Sequence, residues 1–146
     1  WVVLAPNAWD AERNLFQRVE RLESGRVVLL SVTGTGSVAQ PRIDITIESV
    51  GELTADERDE VARTVAHMLR LDEDLGAFYK LCRERGEPWR RASAGLGRLL
   101  RSPTLFEDVV KTICTTNIAW GGTIRMVAGL VDALGAPYPG DPPRHA

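Results

Sequence analysis

SPTLFEDVVKTICTTNIAWGGTIRMVAGLVDALG, residues 102–135, reads as two helices meeting at a polar elbow. Ser102 is placed to cap the first helix, with Pro103 at its first position, where a missing N–H costs nothing. Glu107 and Asp108 suit the positive end of the helix dipole. Phe106, Val109, Val110 and Ile113 recur at i, i+3, i+4 and i+7, which predicts a buried stripe. The next residue on that stripe is Asn117, a polar amide where an apolar residue is due. After an interruption at Gly121-Gly122, Ile124, Val127, Ala128, Val131 and Leu134 form a second stripe, and Gly135 offers an αL stop. Only Arg125 and Asp132 are charged between Ile124 and Leu134, so the second helix is expected to be buried on most sides.

These residues carry a resemblance. Leu96-Gly-Arg-Leu-Leu-Arg-Ser-Pro, Phe106-Glu-Asp-Val, Ile113-Cys-Thr-Thr-Asn117, Met126-Val and Leu134-Gly together resemble the front half of the helical domain of the helix-hairpin-helix base-excision DNA glycosylases, the superfamily of the 8-oxoguanine and 3-methyladenine glycosylases. The Ile-Cys-Thr-Thr-Asn run is similar to an Ile-Cys-Ser-Ser-Asn run of the 8-oxoguanine branch. The likeness is good over Asp74 to Gly135 and loose over the first seventy residues. It implies an α+β fold, with an antiparallel sheet module over 1–53 and a helical module over 54–146.

The resemblance also implies a function: removal of a damaged base flipped out of double-stranded DNA, by hydrolysis of its N-glycosidic bond. In that superfamily a helix-hairpin-helix element binds phosphates, an aspartate beyond it supports cleavage, and bifunctional members add a lysine. All of these follow the two-helix elbow. No catalytic residue is therefore carried over, and the 146 residues are expected to be an inactive piece of a longer cytoplasmic enzyme. The expected DNA contacts are Thr116, Asn117 and Ile118, with Asn117 matching an asparagine that contacts the strand opposite the lesion. An amide can both donate to and accept from a base edge. Capping of the helix by an αL Asn117 is the competing reading, and the two are compatible. An arginine that reads the orphaned base in the 8-oxoguanine branch aligns with Gly122, which puts specificity for 8-oxoguanine paired with cytosine in doubt. Trp120 is either a stacking surface for a base or a buried core residue.

Outward from the elbow, the chain has ordinary globular composition, 44% hydrophobic and 26% charged, enough for one core or two small ones. Net charge is −2, which alone argues against a strong nucleic-acid binder. The distribution is uneven. Residues 1–79 carry eight Arg against fourteen acids, whereas 80–101 carry Lys80, Arg83, Arg85, Arg90, Arg91, Arg98 and Arg101 against Glu84 and Glu87. That basic block either faces phosphates or is a solvated connector. Cys82 and Cys114 fall on apolar helix faces and read as reduced core thiols. No apolar run approaches a membrane span, and His67 has no partner at metal-ligand spacing, so neither a membrane, a metal nor a small-molecule cofactor is expected.

Upstream, Trp1 to Leu4 is apolar and β-prone, and Pro6-Asn7 breaks it. Residues 10–22 admit a helix capped by Asp10, or a strand over Phe16–Leu22 paired through Glu23-Ser24-Gly25 with the strand Arg26–Thr33. The hairpin fits the resemblance. Gly34-Thr-Gly36-Ser-Val-Ala39 matches a dinucleotide fingerprint, but Pro41 and the alternating Ile43, Ile45 and Ile47 predict a loop and a strand where a helix is required. Thr54 and Glu57 form a capping box ahead of a helix with Val61, Val65, Met68 and Leu69 inside. Asp72 is read as the cap of a second helix carrying Leu75, Phe78, Tyr79 and Cys82, ended by Gly86, Pro88 and Trp89. The rival to a DNA-repair enzyme is a non-catalytic helical interaction or structural protein.

Overall fold

A computed structural model describes residues 2–37, 40–140 and 144–146. Four antiparallel strands come first: β1 (Asn7–Asp10), β2 (Leu15–Arg21), β3 (Val27–Ser37) and β4 (Gln40–Glu48), in the order β1-β2-β3-β4. The hairpin is the correct reading of residues 10–22. β2 pairs with β3 in a register that sets Val19 opposite Leu29, and Gly25 takes φ +85° in the turn between them. That left-handed conformation is cheap only for glycine. The helix fails because alternation puts Phe16 on the side where Val32, Leu30 and Val28 already point, so a strand buries more.

Two sequence expectations about the sheet are corrected. Val2 to Leu4 is not a strand: the Asn7 N–H closes a turn onto the Leu4 carbonyl at 3.1 Å, and pairing starts at Asn7, where a break was expected. Leu4 is instead fully buried with Cys114 and Val127. Trp1 lies outside the described residues, as do Val38 and Ala39 of the fingerprint. Gly34 to Gly36 lie within β3 rather than in a loop, paired with Ile43 to Pro41, and β4 follows where a dinucleotide site needs a helix. Along β4, Ile43, Ile45 and Ile47 are half-buried and the residues between them exposed.

The helices are α1 (Ala55–Leu69), α2 (Gly76–Arg85), α3 (Leu105–Ile113) and α4 (Trp120–Leu134), with a 3-10 turn over Trp89–Ala94 and a two-stranded ribbon of β5 (Pro137–Tyr138) and β6 (Arg144–His145). The architecture is α+β, a sheet followed by helices. α1 has the full capping box: Thr54 Oγ1 accepts from the Glu57 N–H at 3.2 Å and Glu57 accepts from the Thr54 N–H at 2.9 Å. Its Val61, Val65 and Met68 pack on Phe16, Leu22, Val28, Leu30 and Val32 to form the main core. Each such side chain contributes roughly 1.5–3 kcal/mol when fully buried.

Helix ends correct the sequence reading in four places. Asp74, not Asp72, receives the first amide of α2, with Gly76 N–H to Asp74 Oδ1 at 2.8 Å. Thr104, not Ser102, caps α3 by accepting from the Glu107 N–H at 3.2 Å, so Pro103 lies ahead of the cap. Ser102 is buried, and its N–H donates to Asp108 Oδ1 at 3.0 Å. Gly121 and Gly122 belong to the first turn of α4, and Gly135 ends that helix in an extended conformation, φ −73°, instead of αL.

The largest correction concerns which faces are buried. Leu105, Phe106, Val109 and Ile113 of α3 are 79, 78, 47 and 62% exposed. The side turned inward carries Glu107, Val110, Lys111 and Cys114. α4 likewise buries only Gly122, Thr123 and Val127, leaving Met126, Leu130 and Leu134 exposed. Periodicity identified the stripes correctly, but a stripe meets only what the rest of the fold brings to it. Here β2 brings a charge.

Candidate functional site

Two features are built around α3: an ion cluster at its inner face and the elbow at its end. The cluster begins with Arg18. Strand alternation turns Phe16, Arg18 and Glu20 to the same side of the sheet, so Arg18 stands in the otherwise apolar layer. Its guanidinium donates to both carboxylate oxygens of Glu107, Nη1 to Oε1 at 3.0 Å and Nη2 to Oε2 at 2.8 Å. It also donates to Asn7 Oδ1 at 2.9 Å and, through Nε, to Glu20. Lys111, one turn beyond Glu107, donates to Glu107 Oε1 at 2.5 Å and is only 2% exposed. Glu107 is therefore no simple dipole complement; it is the hub joining α3 to β2.

Burial sets the titration of the cluster. It favours the neutral form of Glu107, but the hydrogen bonds and charge of Arg18, with Lys111, outweigh it and hold that carboxyl below the usual range. Glu20 has Arg18 alone against its burial and is pushed up. Burial lowers Lys111, and Glu107 only partly restores it. A groove of about 520 Å³ opens beside these residues, walled by Phe106, Val110, Leu130 and Leu134.

The elbow is tightened step by step. The Thr115 and Thr116 N–H groups donate three residues back, to Thr112 at 3.0 Å and Ile113 at 3.1 Å. Their hydroxyls donate to the same carbonyls at 2.6 and 2.7 Å. Asn117 then takes φ +53°, which asparagine tolerates better than most residues, and turns the chain. Thr123 Oγ1 donates to the Cys114 carbonyl at 3.0 Å in the buried layer, fastening α4 to the end of α3.

The residues singled out from sequence are contiguous and outward here. Thr116, Asn117 and Ile118 are all exposed. Trp120 is 48% exposed, so the buried reading does not hold. Gly122 is buried, and a Cβ built there would run into the Ile118 side chain, which would have to shift to admit any larger residue at that position. Arg125 instead folds back along α4, with Nη1 3.7 Å from the place a Gly121 Cβ would occupy. Sequence reading missed the Arg18–Glu107–Lys111 cluster. Its one signal was Arg18 and Glu20 between Phe16 and Leu22 at inward positions of an alternating strand.

The basic block divides. Arg101 Nε donates to the His67 carbonyl at 2.9 Å and Arg98 to the Arg70 carbonyl, so both serve the C-terminal end of α1. Lys80 and Arg91 lie 3.9 and 3.7 Å from Glu84 and Glu87, exposed pairs worth little. Arg83, Arg85 and Arg90 are exposed around the end of α2. Cys82 and Cys114 are free and buried, and His67 is exposed. Among the described residues no group of three or more His, Cys, Asp or Glu could hold a metal, and no helix is long and apolar enough to cross a membrane.

No protein-family model and no curated protein sequence matches the chain. Among solved structures it is similar to a 3-methyladenine DNA glycosylase from Archaeoglobus fulgidus, with a TM-score of 0.69 and 19% identity. The match covers 97% of this chain and 46% of that one, so the chain shares its fold with less than half the length of that glycosylase.

Proposed function

We propose that the chain is part of a DNA glycosylase of base-excision repair, one that flips a damaged base out of double-stranded DNA and releases it by hydrolysing the N-glycosidic bond. The observation that carries the reading is the likeness, over 97% of the chain, to a protein that is itself a DNA glycosylase. The Ile113-Cys-Thr-Thr-Asn117 run and the stretches around it, which resemble the part of those glycosylases ahead of the hairpin, support it from the sequence side. We divide the chain into a sheet module over 1–53 and a helical module over 54–146, and we put the excision chemistry outside these 146 residues. Their part is to hold DNA at the elbow. Asn117, with Thr116 and Ile118, enters or braces the gap left by the evicted nucleotide, and the exposed αL turn supports that role. The working compartment is cytoplasmic.

The rival reading, a non-catalytic helical interaction protein, draws on the exposed apolar faces of α3 and α4. Salt separates the two. A DNA-holding chain prefers duplex with an abasic site to intact duplex, and loses affinity steeply as salt rises, because binding releases counterions from phosphates. Titrating both duplexes between 50 and 200 mM salt tests the proposal; absence of binding to either favours the interaction protein.

A further inference from the structure

β4 is an edge. One side pairs with β3, and no strand of the sheet lies on the other. An antiparallel strand turns the N–H and C=O of alternate residues to each side, so an edge presents a row of backbone groups outward. Among the described residues, no backbone group from Arg42 to Glu48 bonds outside the β3 ladder. Guards against strand addition are missing there. The stretch has no Pro, no Lys and no charge among its half-buried positions, and its register with β3 runs from Leu29–Glu48 to Ser37–Gln40 without a bulge. Ile43, Ile45 and Ile47 pack on the rim of the main core yet stay half-buried, so the edge also leaves apolar surface uncovered.

The other face of the strand indicates what fits. Arg42, Asp44, Thr46 and Glu48 alternate with the isoleucines and are exposed. Asp44 accepts from Thr35 Oγ1 at 3.0 Å, but among the described residues neither Arg42 nor Glu48 has an ion-pair partner. An antiparallel strand of the same sequence, related by a two-fold axis at Ile45, sets Arg42 opposite Glu48 on both sides of the axis, Ile43 opposite Ile47, and Asp44 opposite Thr46. Neighbouring registers are worse. An axis at Asp44 opposes that carboxylate to its own copy, and one at Thr46 opposes Asp44 to Glu48. An axis at Ile43 opposes Arg42 to Asp44, but it brings Pro41, which has no N–H, opposite Ile45. We propose that the partner of this edge is a second copy of the chain, paired antiparallel through β4 about Ile45 so that two sheets become one. The contact is one strand pair, so the dimer is weak and concentration-dependent.

Sedimentation equilibrium of the 146-residue chain over a range of concentrations tests this. The wild type shows a reversible monomer–dimer equilibrium. Arg42→Glu and Glu48→Arg each raise the dimer dissociation constant by about ten- to a hundredfold, because each turns two opposite-charge pairs into two like-charge pairs. An equimolar mixture of the two single variants regains the dimer, since every pair across the mixed interface is again of opposite charge. Both side chains are exposed, and melting curves confirm that the variants are folded. A wild type that stays monomeric overturns the proposal. So does a dimer that neither reversal weakens, which places the contact on another surface, such as the exposed stripe of α3. Weakening by Arg42→Glu alone overturns the register, and failure of the mixture to regain the dimer overturns the charge pairing that selects a second copy.

Discussion

Arg18 in β2 and Glu107 in α3, eighty-nine positions apart, share two hydrogen bonds of 3.0 and 2.8 Å. This pair, with Lys111 and Glu20 around it, is the polar joint by which the sheet holds α3, and α3 in turn ends at the elbow.

Removing one member should therefore cost more than removing the cluster. Glu107→Ala leaves Arg18 and Lys111 buried without their shared partner and is expected to destabilise by about 3–5 kcal/mol. Replacing Arg18, Glu20, Glu107 and Lys111 together by Met, Leu, Leu and Leu should fall within about 2 kcal/mol of wild type, because apolar groups of similar volume need no partners and no carboxylate is left buried without Arg18. Chemical denaturation of the two variants checks the order.

The pH dependence has opposite signs for the two carboxylates. Glu107 is held below its unfolded value, so its contribution is present above that value, near 4.3 for a free Glu, and is lost as pH falls through the folded one. Glu20 is raised, so its contribution is present below the unfolded value and is lost as pH rises through the folded one. Glu107→Gln should flatten the acid limb of a stability profile, and Glu20→Gln should remove a penalty at neutral pH. Melting temperatures from pH 3 to 8 report both.

The cap of α3 offers a clean comparison. Thr104→Ala is expected to cost about 1 kcal/mol, since it removes the acceptor of the Glu107 N–H. Ser102→Ala should change stability by less than about 0.5 kcal/mol, because its buried hydroxyl has no partner among the described residues and its N–H bond to Asp108 is kept. Capping by Ser102, as the sequence suggests, predicts the reverse order in thermal melts.

The exposed stripe of α3 makes another. Phe106→Ser and Ile113→Ser should each lower the stability of the 146-residue chain by under about 0.5 kcal/mol, the range for surface positions. A buried Phe would cost about 3–5 kcal/mol. Urea titration decides between these values.

What the sequence made legible was local. The Glu23-Ser24-Gly25 turn, the alternation of Ile43, Ile45 and Ile47, and the Thr54–Glu57 box each lie within a few residues of the structure they specify. The inner face of α3 could not be read that way. Periodicity showed an apolar stripe at Phe106, Val109 and Ile113 but not what would meet it, and the partner of Glu107 lies on a strand eighty-nine positions earlier. Leu4 misled for the same reason. Its burial comes from Cys114 and Val127, so its apolar run served a helix pair instead of a sheet. At the elbow, the sequence marked Asn117 by its place on the stripe, whereas the course of Arg125 over Gly121 needed the three-dimensional path of the helix.

Asn117 gives the most direct test of the central claim, that the elbow engages opened DNA. Affinity for abasic-site duplex and for intact duplex is measured with the wild type and with Asn117→Ala, alongside the melting temperature of each. The account predicts that Asn117→Ala weakens binding to the abasic duplex by ~1–3 kcal/mol, the worth of a good base contact. Binding to intact duplex, dominated by phosphates, should hardly change. An unchanged ratio of the two affinities, with only a lowered melting temperature, would make Asn117 a structural turn residue and contradict the account.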